Sequence, residues 1–501
     1  MKALRLSMFL LFVFLLIAVP CLSFAQAPPT TASQSETLQQ QVDLLQRQVA
    51  ELQAQIKKLA GTDSATQASA TQASTGPQQE AKGQETQQEP KVSEASKEIK
   101  TEQTASKATL DYQTSSQDAV AAARYDNAPL DPKYPGYFRL PGTKTFMKIG
   151  GYAKSDLTFD PRPAGDQERF IPSSIPIPPL ANVSNSTISV RPSRINVDFL
   201  VPTETARTLR FFLEVDFFGS SSTTPRLRHA YAQGKNLLIG QTFSNFMDID
   251  ASPDTLDFQG PNSQVFIRNP MMRYTFRLGK TTTTSISIEK PSSDVAFSTP
   301  DFKAAPNSPS PDGTVQFRHD MDFGHVQLAA LFRDISAFLP DGRSDSVFGW
   351  GFNLSGLFKV FGKDNLTYQG AYGNGISRYI NDSSGLGIDA AVISAQDPRL
   401  EAVPMVGTYG GYQHFWVPKL RSSVVYGFLQ SENTAAQTPS AFHRSEYGAA
   451  NLIWSPIPQL SFGTEFLYGW RVNKDNSTGN APRIQISAKY NFMQLKSSSN
   501  K

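Results

Sequence analysis

Cysteine is almost absent from this sequence, and its absence excludes two common kinds of site. The 501 residues include one cysteine, Cys21, and five histidines spread along the chain. One cysteine cannot form a disulfide within the chain, and scattered histidines do not provide the ligand spacing of a zinc site. We therefore expect no metal ion and no cofactor.

Long apolar runs and a strong net charge are also missing. After the first twenty residues, no stretch reaches the roughly 20 consecutive apolar residues that a membrane-spanning helix needs. The mean hydropathy is −0.33, and together these features exclude a multi-pass helical membrane protein. A net charge of only +3 argues against a nucleic-acid partner, because nucleic-acid-binding proteins carry strongly basic surfaces.

The first 25 residues predict a secretory signal peptide. Lys2 and Arg5 precede an apolar run over 8–19, and in residues 23–25 Ser23 and Ala25 supply small side chains for cleavage. An N-terminal mature segment over 26–37 follows. Two alternatives stay open: an anchoring helix, which needs a longer apolar run, and lipidation of Cys21, which is disfavoured by the proline before it.

Residues 38–60 predict a short coiled-coil helix for oligomerisation. Apolar residues recur at alternating spacings of four and three, with β-branched residues at a and leucines at d. These residues are Leu38, Val42, Leu45, Val49, Leu52, Ile56 and Leu59. The pattern favours a dimer only weakly, because it spans only about three heptads. Glutamines occupy e and g, so flanking charges do not select the partner. A helix packed on a globular body is the alternative.

Residues 61–135 predict a disordered linker. The segment contains Ala-Thr-Gln-Ala-Ser repeats followed by glutamine, glutamate and lysine. Such a composition cannot bury enough apolar surface to offset the entropy lost on ordering. The linker would connect the coiled coil to the last segment, 136–501.

The last segment, residues 136–501, shows the alternation of antiparallel β-strands. For example, Leu209, Phe211 and Leu213 alternate with Arg210 and Glu214. Strands are predicted over 146–159, 186–200, 207–218, 225–233, 235–243, 264–278, 281–290, 313–319, 324–334, 346–360, 364–373, 404–417, 420–431, 443–455, 458–472 and 482–492. Their number is sixteen, an even number as in bacterial single-chain barrels.

The connections between these strands fall into two interleaved classes. Tight turns are predicted at 234, 279–280, 320–323, 361–363, 418–419 and 455–459, and long polar loops over 160–185, 244–263, 291–312 and 374–403. Short turns at one end and long loops at the other are typical of outer-membrane barrels. The pattern therefore predicts an all-β, transmembrane, antiparallel 16-stranded barrel in contact with outer-membrane lipid.

A secreted β-sandwich or adhesin is the alternative, because it has the same alternation. Aromatic residues at the ends of the apolar faces favour the membrane barrel. They are Phe159, Tyr231, Phe276, Trp350, Tyr426 and Trp470. The last strand also ends in Tyr490-x-Phe492, although residues 493–501 follow it.

The arginines of the strands are predicted to line the lumen as substrate-binding residues. At the bilayer midplane, an arginine facing lipid would cost about 2 to 4 kcal/mol. The inward set is Arg194, Arg210, Arg226, Arg228, Arg273, Arg277 and Arg421. Their guanidinium groups can hold a carboxylate through two parallel hydrogen bonds, and Arg226, Arg228, Arg273 and Arg277 are the strongest candidates.

The loop over 244–263 is the candidate constriction loop. It contains Asp248, Asp250, Asp254 and Asp257. Folded into the lumen, these aspartates would oppose the arginines across a narrow passage. Two alternatives remain: the arginines pair with Glu214 and Asp216 and only neutralise buried charge, or the loop carboxylates are solvated or bind divalent cations outside.

Several short motifs occur together in this segment. They are 193–196 (SRIN), 214–219 (EVDFFG), 227–231 (LRHAY), 240–243 (GQTF), 246–248 (FMD), 253–261 (PDTLDFQGP), 412–414 (YQH), 420–422 (LRS), 454–456 (WSP) and 490–492 (YNF). With the coiled coil, they resemble the DcaP-like family of outer-membrane porins. The resemblance implies a homotrimer with periplasmic coiled coils that passes small anions such as dicarboxylates, and it overrides the dimer preference.

The sequence thus predicts an outer-membrane channel for passive diffusion of small anionic solutes, such as dicarboxylic or aromatic acids. The alternatives are a weakly selective general porin and a plugged barrel with an envelope-spacing or adhesive role, whose coiled coil reaches toward peptidoglycan. We do not expect an enzyme, because the chain has no G-x-S-x-G motif and no histidine pair at metal spacing.

Overall fold

The computed structural model describes residues 137–180, 183–203, 208–220, 222–295, 305–339, 342–393, 399–435 and 437–492. The predicted signal peptide, mature N-terminal segment, coiled coil and linker lie outside these residues, as does the tail after Phe492. The described residues therefore all belong to the predicted barrel segment.

Sixteen strands form the wall of a closed barrel, each antiparallel to the strand before it. They are β1 (Phe146–Asp160), β2 (Asn185–Ser189 and Arg194–Pro202), β3 (Thr208–Asp216), β4 (Arg226–Gly234), β5 (Leu237–Phe243), β6 (Arg268–Arg277), β7 (Thr282–Glu289), β8 (Asp312–Met321), β9 (Gly324–Phe338), β10 (Ser344–Lys359), β11 (Asn365–Asn374), β12 (Pro404–Val417), β13 (Leu420–Ser431), β14 (Phe442–Ile457), β15 (Leu460–Asn473) and β16 (Thr478–Asn491).

The last strand pairs with the first, which closes the ring. The register of this seam runs from Tyr152 opposite Asn491 to Phe159 opposite Ile484, while the other edge of β1 pairs with both pieces of β2. The predicted fold, an all-β antiparallel barrel of sixteen strands, is confirmed.

The remaining elements among the described residues are short. Three 3-10 helices cover Pro172–Ser174, Ile249–Ala251 and Ser377–Tyr379, and short strands cover Phe138–Arg139, Ala305–Asn307, Ala390–Val392 and Leu400–Ala402. The part of the chain that the structure describes contains no helix of the length and hydropathy that crossing a membrane requires.

Short turns gather at one end of the barrel and long loops at the other. Three of the loops matter for the site, and they are numbered along the chain: L1 (161–184), L3 (244–267) and L6 (375–403). The predicted strand over 264–278 is therefore too long at its start. Val265 instead lies in L3, where its N–H donates to the side-chain oxygen of Gln369 at 3.1 Å.

The outer face of the barrel is apolar and its inner face is polar. On β3, Phe211 and Leu213 are 43% and 46% exposed on the outside, whereas the inward Glu214 is fully buried. Because strand side chains alternate sides, the same division recurs around the ring. This arrangement is the reverse of a soluble sandwich and matches a wall that faces lipid.

Tyr231 departs from the predicted alternation. A β-bulge shifts the register between β3 and β4 after the pair formed by Glu214 and His229, so Arg228 and His229 are both buried. A bulge moves every later side chain of its strand to the opposite face. The prediction of Tyr231 as an aromatic residue of the lipid face is therefore wrong, and its ring packs against Phe212 inside the barrel.

Part of the barrel interior is filled by an apolar cluster in which L3 and L6 pack against the wall. Phe246 of L3 meets Tyr379 of L6 edge to face, with ring centroids 5.8 Å apart. Both are fully buried, together with Leu331 of β9 and Ile376 of L6. The two loops therefore enter the barrel rather than extend from its rim.

A matched pair of substitutions tests the lipid-facing wall. Ile486 in β16 and Ile457 at the short-turn end of β14 are 52% and 49% exposed. In lipid vesicles, we expect Ile486→Lys to lower the free energy of unfolding by about 2 to 4 kcal/mol and Ile457→Lys by about 0 to 1 kcal/mol. Urea titration measures both, and equal losses would contradict a membrane depth profile.

Candidate functional site

A ladder of charged side chains faces inward from β2, β3 and β4. Arg228 donates from Nε to Glu214 at 3.1 Å and from Nη1 to Asp216 at 2.7 Å. Arg194 lies directly across from Asp216 in the register of β2 and β3, and its guanidinium is 3.9 Å from Glu214. All four side chains are almost completely buried, so each charge depends on its partners for compensation.

Two further arginines extend the ladder toward its two ends. Arg226 holds both oxygens of Asp216, at 3.0 and 2.7 Å, and a third of its side chain stays exposed. Arg210 donates from Nε to Asp198 at 2.9 Å, and Tyr137 donates its hydroxyl to the same carboxylate at 2.7 Å. Paired carboxylates and guanidiniums of this kind orient each other rigidly.

Aromatic rings lie against the arginines of this ladder. Phe258 of L3 lies 5.3 Å from the guanidinium of Arg194 and 5.6 Å from that of Arg228. Phe218 stacks on Phe258 with centroids 4.6 Å apart and lies 5.5 Å from Arg226. A guanidinium is weakly hydrated and interacts favourably with a ring face, so the aromatic cover stabilises its positive charge.

The ladder keeps a positive balance. In β2, β3 and β4, the inward arginines are Arg194, Arg210, Arg226 and Arg228, and the inward carboxylates are Asp198, Glu214 and Asp216. Four guanidinium groups thus meet three carboxylates. The alternative in which the arginines pair with Glu214 and Asp216 describes most of the contacts, but it does not neutralise the ladder.

The other three predicted arginines lie apart from the ladder. Arg421 of β13 donates to Asp254 of L3 at 2.6 Å. Arg273 is half-buried on the inner side of β6, and Arg277 is exposed at the short-turn end of that strand. The structure therefore groups four of the seven arginines and distributes the other three along the lumen.

L3 crosses the interior and is attached to the wall through its aspartates. Asp248 accepts from Ser355 of β10 at 2.8 Å and lies 2.8 Å from a ring nitrogen of His325 of β9. Asp250 forms an ion pair of 2.9 Å with Arg318 of β8. Asp248, Asp250 and Asp254 thus contact basic groups of β8, β9 and β13. Of the seven arginines predicted to oppose these aspartates, Arg421 is among these contacts.

The fourth aspartate of L3 joins that loop to L1. Asp257 accepts from the backbone N–H of Phe170 at 3.2 Å and of Gly260 at 3.0 Å. In L6, Asp382 likewise accepts from the N–H of Ser173 in L1 at 3.0 Å and from the hydroxyl of Ser445 in β14 at 2.6 Å. Hydrogen bonds therefore tie all three inserted loops together.

Sequence reasoning missed several residues of this site. Alternation could have identified Arg318 and His325, because both lie on inward positions of strands. Phe218 and Phe258 carry no such signal, because Phe218 follows the end of β3 and Phe258 lies in L3. Across the residues that the structure describes, no group of three His, Cys, Asp or Glu residues is arranged to hold a metal ion.

The two loop carboxylates make stability depend on pH. Burial raises the pKa of both Asp257 and Asp382 to about 6, and this outweighs the hydrogen bonds that favour their ionised forms. Between about pH 4 and 6 the folded protein binds protons that the unfolded chain releases, so stability falls as pH rises through this window.

We expect the free energy of unfolding, measured by urea titration, to be higher at pH 5 than at pH 7 by on the order of 1 to 3 kcal/mol. The double variant Asp257→Asn, Asp382→Asn keeps an acceptor oxygen at each position but cannot titrate. Its unfolding free energy should depend less steeply on pH than that of the wild type. An unchanged pH dependence would contradict the assignment to these two groups.

Arg228 and Arg226 form a matched pair for testing the ladder, because both bind Asp216. Arg228→Met leaves Glu214 and Asp216 buried with less compensation and should cost about 3 to 5 kcal/mol of unfolding free energy. Arg226→Met should cost less, since Arg228 still holds Asp216 and the side chain of Arg226 is partly exposed. Equal losses of unfolding free energy in urea titration would show that burial does not determine how much each arginine contributes to stability.

The chain resembles one protein family in sequence and several solved structures in fold. The crystal structure of the outer membrane channel DcaP of Acinetobacter baumannii matches with a TM-score of 0.62 at 23% sequence identity, covering 71% of this chain and 99% of that chain. The anion-selective porin from Comamonas acidovorans matches with a TM-score of 0.47 at 8% identity, covering 70% and 100%.

OmpT of Vibrio cholerae matches with a TM-score of 0.45 at 10% identity, covering 70% of this chain and 99% of that chain. No curated protein matches the chain. The family model described as DcaP outer membrane protein matches residues 141–492, which is most of the sequence and includes all sixteen strands. The chain therefore belongs to the DcaP outer membrane protein family.

Proposed function

We propose that this protein is an outer-membrane channel through which small anionic solutes, such as dicarboxylic or aromatic acids, diffuse passively. The observation that carries the proposal is the positive balance of the inward ladder on β2 to β4, where four arginines meet three carboxylates. Since the ladder lies on the inner face of a closed wall, an anion that enters the lumen encounters its field at short range and low dielectric.

The contacts within the ladder favour weak and distributed binding. Arg226 and Arg210 already donate to carboxylates and keep parts of their side chains exposed. A passing anion would therefore share a guanidinium with a resident carboxylate and would not bind it alone. Permeation requires such weak contacts, because a solute has to leave as readily as it enters.

The positions of the other candidates divide them between two roles. Arg273 and Arg277 lie closer to the short-turn end, where they would guide anions along β6. We assign Arg421 and the aspartates Asp248, Asp250, Asp254 and Asp257 to fixing L3 as the constriction, because their contacts join L3 to the wall and to L1.

We further propose that the channel assembles as a homotrimer whose N-terminal coiled coils lie in the periplasm. The heptads over 38–60 and the family resemblance support this assembly, and the coiled coil would reach toward peptidoglycan. Native mass spectrometry of the full chain and of a variant lacking 38–60 measures how much the coiled coil contributes to trimer formation.

Ion selectivity in planar bilayers tests the channel proposal. With a KCl gradient, we expect the reversal potential to give chloride permeability above potassium permeability. Arg226→Gln removes a partly exposed ladder charge and should lower this ratio by a factor on the order of 2 to 5, as expected for a loss of 0.5 to 1 kcal/mol. Lys363→Gln, an equal charge change in an exposed turn, should change it little.

Each alternative function gives a different outcome in the same recording. A permeability ratio near one, without block by succinate or phthalate, would indicate a weakly selective general porin. Negligible conductance from folded protein would indicate a plugged barrel with an envelope-spacing or adhesive role. Potassium preference unaffected by Arg226→Gln would contradict the anion channel.

A further inference from the structure

Two lysines face each other across the seam that closes the barrel. In the pairing of β1 with β16, Lys154 lies directly opposite Lys489, and both side chains point inward. Lys489 also pairs with Ser461, the second residue of β15, which places it close to the short-turn end. Like charges directly opposite each other destabilise a sheet, so this arrangement calls for a compensating interaction.

The two lysines differ in the hydrogen bonds that their ammonium groups form with the described residues. The ammonium of Lys154 donates to Asp156 at 3.0 Å and to the carbonyl of Leu256 in L3 at 2.6 Å. The ammonium of Lys489 forms no hydrogen bond or ion pair with any residue that the structure describes. Its ammonium lies 4.3 Å from the centroid of the Tyr152 ring, and a ring face compensates a cation only in part.

The charges around Lys489 are mostly positive. The groups close enough to act on it electrostatically include Lys154, Arg194, Arg421 and Asp254. Of these, Asp254 is already engaged, because it accepts from Arg421 at 2.6 Å and from Gln413 at 2.7 Å. The region between L3 and the short-turn end therefore holds an excess of positive charge without a carboxylate assigned to Lys489.

We infer that Lys489 is an anion-binding residue that receives the carboxylate of a small organic acid on the short-turn side of L3. The ammonium of Lys489 provides the donors, and the buried ring of Tyr152 lies beside the ammonium and supports it. Arg194 lies 5.4 Å from the same ring and adds positive field from β2. The inference rests on the proposed channel function and assigns a specific binding residue within it.

Lys489 differs from the ladder arginines in how much of its bonding capacity is taken. Arg228 and Arg226 both hold carboxylates of the protein, so a solute competes for them. The three donors of Lys489 have no such competitor among the described residues. A solute carboxylate at Lys489 would also relieve the repulsion from Lys154, which makes this lysine the preferred stopping point of an anion crossing the barrel.

Block of the channel by phthalate tests the inference. In planar bilayers, Lys489→Gln should raise the half-blocking concentration of phthalate on the order of tenfold, the factor expected for losing one hydrogen-bonded charge. Lys419→Gln, an equal charge change in the exposed turn between β12 and β13, should leave it unchanged. Lys489→Arg, which keeps the charge, should retain the block.

A structural role for Lys489 predicts different results. Because Lys489 opposes Lys154, Lys489→Gln should unfold in urea at a midpoint no lower than that of the wild type. If phthalate block is the same in Lys489→Gln and the wild type, or is lost equally in Lys489→Arg, the assignment is wrong. If the wild type itself shows neither chloride preference nor block, the channel proposal fails instead.

Discussion

The strict alternation of a closed antiparallel wall is the constraint on which the rest of this structure depends. Because one face meets lipid and a charge there is costly, nearly every charged residue of the strands is confined to the inner face. There, low dielectric makes an uncompensated charge expensive. The arginine ladder, its carboxylates and the attachment of L3 through aspartates all result from the need to balance charge inside the ring.

The sequence predicted the wall well because its signal is local. Alternation and turn lengths located all sixteen strands, and arginines 194, 210, 226 and 228 lie on the inner face as expected. The partners were not predictable in the same way. Asp248 meets Arg318 and His325 across 70 and 77 positions of chain, and no periodicity encodes such a contact. Tyr231 was misplaced for a different reason, since a single bulged residue reverses the faces of its strand.

The ladder and the loops also differ in how they distribute charge. In the ladder, guanidinium groups exceed carboxylates, and the rings of Phe218 and Phe258 cover them. In L3, carboxylates contact basic groups of the opposite wall and backbone N–H groups of L1. The inserted loop is thus held by the same kind of interaction that the proposed permeant would make, but its partners are fixed and buried.

The carbonyl of Leu256 accepts hydrogen bonds from both strands of the seam, Lys154 of β1 and Gln485 of β16. The first and last strands are far apart in sequence, and contacts between such distant segments are slow to form. L3 spans this junction from within, and its backbone therefore joins the first and last strands in addition to their own pairing.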